Sequence, residues 1–250
     1  MPSASSSLIG FDRFVSLTWL DKAVDIAYTE GSVDDLRSWL AERIEGPAAL
    51  KKTNSVLTAI WLRSDPATAW LRNQALTIFP GISMEERIVL HWGMALTTYP
   101  LFRATASVMG RLLRLQGEFR TQDIRSRVLE QYGSIGTVPR AVNRIVQSVK
   151  DWGVIAYTDT HYIPDRRLQI DNPSLLAWLL EACILTSARD HWELTDLLQA
   201  TELFPFDLSK TGHLAVRRSP RFVVTREGLD REIILLAAQL ANCSIKADGV

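Results

Sequence analysis

The chain has little of what several large protein classes require. Only two of its 250 residues are cysteines, Cys183 and Cys243, too few for a disulfide-built scaffold and in keeping with reduced thiols and a cytoplasmic setting. Cys183 stands in an apolar helical run, where a small soft side chain packs as core. The four histidines, His91, His161, His191 and His213, lie far apart. None has another His or a Cys at the i+3 or i+4 spacing of a local zinc site, so no metal is expected. No apolar run reaches the roughly 20 residues of a membrane span: Leu175–Leu185 is interrupted by Glu181, and Ile233–Leu240 is short. The small, polar stretch Met1–Gly10 lacks the positive start and apolar block of a signal peptide and reads as a frayed end. Neither a membrane partner nor a leader is therefore expected.

Charge of one sign is also missing in excess. Lys plus Arg and Asp plus Glu number 28 each, which excludes the global basic field of a polyanion-coating protein. Catalytic signatures are absent too: there is no Walker loop, no dinucleotide fingerprint after a strand and no Gly-x-Ser-x-Gly elbow. The acid pairs Asp34–Asp35 and Glu85–Glu86 sit where helices start, and there the helix dipole favours negative charge. A non-catalytic protein without cofactors is the expectation.

What is present is apolar pattern. Nearly half of the residues are hydrophobic, enough for a substantial core. The fold class expected is mainly α. Helical spacing predicts an N-terminal helical bundle over 1–98, with helices over Phe11–Tyr28, from Ser32 to Gly46, Ala48–Arg63, from the Asp65–Pro66 start to Pro80, and from Ser83 onward. Residues 99–170 read as a second unit, opened by a helix Leu101–Leu115 that buries Phe102, Val108, Leu112 and Leu115. Residues 171–250 read as a C-terminal helical segment with a small β-ribbon. Helices there are expected over Asp171–Leu185, His191–Leu203 and Leu229–Leu240, and strands over His213–Arg218 and Arg221–Arg226, the order of a second wing-bearing unit. The apolar, proline-interrupted Phe204–Leu208 should dock into a groove. Of the eight tryptophans, Trp39, Trp61, Trp70, Trp92 and Trp178 lie on apolar helix faces as core, and Trp152 should plug the gap between its helix and the hairpin that follows.

The most legible stretch runs from Phe119 to Pro164. Thr121 can cap a helix with Ile124, Val128 and Tyr132 on one face, ended by Gly133 and Gly136. Thr137 and Pro139 then start a second helix. Its residues Val142, Ile145, Val146 and Val149 repeat at i, i+3, i+4 and i+7 and must face inward. Arg140, Asn143, Arg144 and Gln147 take the opposite face, and these are the side-chain types that pair with base edges in a major groove. Gly153 stops the helix, and β-prone runs flank Thr158–Thr160 as a hairpin. Between Leu101 and Lys150 stand nine cations and three acids, while the N-terminal part carries the balancing acids. The cation surplus thus falls on the segment whose pattern suits DNA.

Helix, turn, helix and hairpin in this order resemble the winged helix-turn-helix superfamily over about Leu101 to Asp171. More loosely, a helical N-terminal half ahead of such a unit is similar to the small DNA-binding BrxA proteins of bacterial phage-exclusion (BREX) systems, although 171–250 has no counterpart in that resemblance. The likeness implies binding to double-stranded DNA within a multi-protein defence or regulatory complex, without catalysis. Arg140, Asn143, Arg144 and Gln147 would meet bases or backbone. Thr137, Arg125, Arg127, Lys150 and His161 would hold phosphates, joined by Arg217, Arg218 and Arg221 near a predicted turn. The rival reading is a protein-interaction adaptor that docks partners on the winged unit and the tryptophan-rich bundle, because winged helices also bind proteins.

Overall fold

Ser32 shows how local chemistry sets the first helices. Its hydroxyl accepts the Asp35 backbone N–H while the Asp35 carboxylate accepts that of Ser32, a reciprocal cap. The two hydrogen bonds from Ser32 hold the Asp35 carboxyl below its ordinary range. The computed structural model describes residues 10–63, 65–66, 68–132, 136–187, 189, 191–228 and 231–237. The expected frayed start before Gly10, the Gly133 stop, Cys243 and the ends of the expected Leu229–Leu240 helix lie outside them.

The described chain is mainly helical with small sheets. Its first part contains α1 (Leu17–Tyr28), α2 (Val33–Ala41), α3 (Pro47–Leu57, continued by a π turn Thr58–Leu62), α4 (Ala69–Ile78), α5 (Arg87–Thr98) and α6 (Pro100–Gln116). Three starts come later than the pattern suggested. Phe11–Ser16 is not helical, although Phe11 and Val15 are fully buried, because the segment packs its apolar groups without a helical backbone. The fourth helix begins at Ala69, after a turn closed by Thr68 N–H on the Asp65 carbonyl. Ser83 and Glu86 exchange capping bonds in a turn that precedes α5. Leu115, expected inside, is 69% exposed at the end of α6.

Next come α7 (Thr121–Tyr132), α8 (Val138–Asp151), and the antiparallel strands β1 (Ile155–Tyr157) and β2 (Tyr162–Pro164), paired from Ile155↔Pro164 to Tyr157↔Tyr162. Phe119 bridges to Tyr162 across two backbone hydrogen bonds and stacks on its ring. Thr137 occupies the position before α8, but its hydroxyl makes no capping bond. Pro139, in the first turn, and the buried row Val138, Val142, Ile145, Val149 define this helix instead.

The C-terminal part departs most from its sequence pattern. After β3 (Leu168–Gln169) and α9 (Pro173–Leu185), the expected helix His191–Leu203 is a short strand β4 (Trp192–Glu193), a brief α10 (Leu194–Leu198) and a 3₁₀ turn Thr201–Leu203. Phe206–Asp207 is a strand, β5, parallel to β3. The expected strand His213–Arg218 is helix α11 (Gly212–Arg218), which buries Gly212, Ala215 and Val216 at i, i+3 and i+4. Conversely, Arg231–Leu236 is strand β7, paired with β6 (Phe222–Glu227), where a helix was expected. A continuous apolar run such as Ile233–Leu236 has no period to separate a buried strand from a buried helix, and pairing on both sides, β4–β7–β6, decides it.

A single cluster of buried residues extends from Phe11 to Leu236 and takes members from all three segments. Four buried indoles tie it together through their N–H groups: Trp61 to His91 Nδ1, Trp92 to the Glu202 carbonyl, Trp152 to the Val15 carbonyl and Trp178 to the Leu71 carbonyl. Trp152 packs its ring on Phe11, Trp92 and Phe102. Close approach needs glycine at Gly110, where a Cβ would lie 1.9 Å from the Thr201 carbonyl oxygen of the 3₁₀ turn. No helix of the described residues is long and apolar enough to cross a membrane.

Candidate nucleic-acid interface

α8 is strongly amphipathic, with one row of side chains buried and another left exposed. The N-terminal segment fastens to its flank: the Val15 N–H donates to Ser148 Oγ at 2.8 Å and the Leu17 N–H to Asp151 Oδ2 at 2.8 Å. α7 also packs against it. What stays in solvent is the face with Arg140, Arg144, Gln147 and Lys150, all exposed, with Asn143 half-buried beside them. Arg144 Nη1 donates to Gln147 Oε1 at 2.8 Å, one turn along the same face. Lys150 Nζ lies 5.8 Å from the centre of the Tyr157 ring, so the C-terminal end of the face is continuous with the hairpin. Tyr157 is itself half exposed and packs on Tyr162.

The hairpin tip closes through the Thr158 N–H on the His161 carbonyl. His161 is partly buried, and its Nε2 stands 2.9 Å from Glu118 Oε2, while Nδ1 faces Thr160 Oγ1 at 3.1 Å. It is therefore engaged with an acid rather than open on both nitrogens. Thr137 is exposed at the start of α8; on α7, Arg127 is exposed and Arg125 half-buried. Among the described residues, none of Arg125, Arg127, Arg140, Arg144 and Lys150 is in an ion pair. That leaves Arg127, Arg140, Arg144 and Lys150 without an acidic partner on the surface, among the described residues.

The second basic cluster is not one site. Arg221 inserts between α4 and α9, with Nη1 2.6 Å from Glu181 Oε2 and a hydrogen bond to Gln74 Oε1. Arg217, in the last turn of α11, meets Glu232 Oε1 at 2.6 Å. Arg218 is exposed and, among the described residues, unpaired. Sequence reasoning grouped these three near a predicted turn, but Arg217 and Arg218 lie on α11 and Arg221 in the turn before β6, and Arg217 and Arg221 meet different acids. Arg221 is a strut for a buried carboxylate, whose pKa burial raises and Arg221 lowers in part.

The sequence reading did not single out Arg103, Arg111 and Arg114 as a group. They line a cleft of about 910 Å³ between α6, the end of α7 and the chain from Leu185 to Glu202. The signal was available: Arg103, Ser107, Arg111 and Arg114 recur at i, i+4, i+8 and i+11, one face of α6. The cation surplus of 101–150 is thus divided between two surfaces. No family model, curated protein or solved structure matches this chain.

Proposed function

We propose that the chain binds double-stranded DNA without catalysis, using a winged helix in which α8 enters the major groove and the β1–β2 hairpin is the wing. The observation that carries this reading is the solvent-facing set Arg140, Arg144 and Gln147 on α8, with the half-buried Asn143 beside it, opposite a fully buried row of valines and isoleucine. Arginine and amide side chains match the donor and acceptor pattern of base edges, and the unpaired Arg127 and Lys150 on either side suit phosphates. The order α6, Phe119 bridge, α7, α8 and hairpin supports the same reading. Service within a bacterial multi-protein defence or regulatory system, as in the BrxA-like proteins, belongs to this proposal. The adaptor reading is less favoured, because Trp61, Trp92, Trp152 and Trp178 are inside the core and unavailable to a partner.

Fluorescence anisotropy with duplex DNA at two ionic strengths tests the proposal. Affinity should fall steeply with salt, as counterions are released from each phosphate met. The double variant R140A/R144A should lose at least about tenfold in affinity, since each arginine fork on a base contributes about 1–3 kcal/mol. Equal binding by wild type and double variant at both salts rejects the assignment of α8.

A further inference from the structure

We propose that the cleft lined by α6 is a second binding site, which takes a phosphate-bearing small molecule of nucleotide size. Its volume, about 910 Å³, lies within the range of small-molecule sites. Four arginines line it against two carboxylates among the described residues. Two of those arginines are already matched. Arg103 donates through Nε and Nη2 to the buried Glu202 Oε1, at 3.2 and 2.9 Å, and Arg189 lies over the Trp192 ring, 3.5 Å from Asp196.

Arg111 and Arg114 are different. Both are exposed at the cleft, and among the described residues neither has an acidic partner. Arg114 Nη1 is anchored on the Gln199 carbonyl at 3.1 Å, which aims the guanidinium without neutralising it. Three residues apart on one helix, the two sit ~4.5 Å apart along its axis, close enough for one diphosphate to meet both forks. Ser107 Oγ and Thr201 Oγ1, 2.7 Å apart, add hydroxyl groups to the wall. A concave site of this volume cannot seat a double helix, so it serves a different ligand from the α8 face.

The test uses the full chain, with ATP and inorganic pyrophosphate as probes and citrate as a carboxylate control, in isothermal titration and thermal melting. ATP and pyrophosphate should each titrate to a single site and raise Tm, and citrate should do so far more weakly. R111A/R114A should lose at least about tenfold in ATP affinity, or about 1.4 kcal/mol, with its circular dichroism and unliganded Tm unchanged. R140A/R144A should bind ATP like the wild type. No binding by the wild type, citrate binding as tightly as pyrophosphate, or ATP affinity unchanged in R111A/R114A would each overturn the proposal. So would loss of ATP affinity in R140A/R144A, which would move the phosphates to α8; the DNA reading stands or falls separately on duplex affinity.

Discussion

Arg221 and Arg144 are both arginines in basic stretches of sequence, yet they do opposite things. Arg221 reaches a carboxylate, Glu181, that is 4% exposed, and Arg103 does the same for Glu202 at 7%. The Arg103–Glu202 pair joins the C-terminal part to α6, whereas Arg221 braces α9 within the C-terminal part and adds a hydrogen bond to Gln74 of α4. Arg144 and Arg140 meet no acid among the described residues and project from α8 into solvent. A basic cluster in the sequence therefore does not define a site. What separates a strut from a free surface cation is whether the fold brings a buried carboxylate within reach.

The sharpest way to break this comparison is to remove a strut. Arg221→Ala leaves Glu181 charged and buried, and should cost about 3 kcal/mol of stability at neutral pH. Urea unfolding checks it. Burial already raises the Glu181 pKa, and losing Arg221 removes the main influence that lowers it. Acid should therefore protonate Glu181 readily and narrow the gap between variant and wild type. Replacing both partners, Arg221→Met with Glu181→Leu, should recover most of the loss. A variant as stable as wild type at every pH would put Arg221 back among the free cations.

His91 offers a smaller effect of related origin. It is fully buried, accepts the Trp61 indole N–H on Nδ1 and so turns its own Nε2–H toward Asp21 Oδ1 at 3.0 Å. Burial lowers its pKa below 6.5, and Asp21 opposes that in part. Because the unfolded chain binds the proton first, the contribution of neutral His91 is complete above pH 6.5. It declines as pH falls below that value and levels off once the folded form is protonated as well. Urea midpoints measured across this window should drop less in His91→Phe than in wild type. Parallel profiles would show that some other group titrates.

The two regions also differ in how far the sequence revealed them. Ser32 with Asp35, and Pro139 with the valine row of α8, are local signals that agree with the fold, so those elements were readable. Leu229–Leu240 was not, because the apolar run Ile233–Leu236 has no period of its own, and its strand is set by pairing with the neighbouring β6 and with β4, which is distant in sequence and leaves no periodic trace. The same holds for the site. The outward face of α8 follows from its own period, whereas the meeting of Arg111 and Arg114 with Gln199, Thr201 and Glu202 depends on how the chain after α9 returns to α6.

The smallest effect is the most discriminating one. If the α8 face is a binding surface and not part of the packing, R140A/R144A should change stability by no more than about 0.5 kcal/mol, the scale of exposed positions without buried partners. Neither guanidinium covers a buried carboxylate, and alanine has the higher helix propensity, so no loss from the helix itself is expected. Urea unfolding of R140A/R144A beside Arg221→Ala sets the two kinds of arginine on one scale. A loss for the α8 pair near that of Arg221→Ala would mean that these side chains support the fold after all. Any accompanying loss of DNA affinity would then report unfolding, not a missing contact.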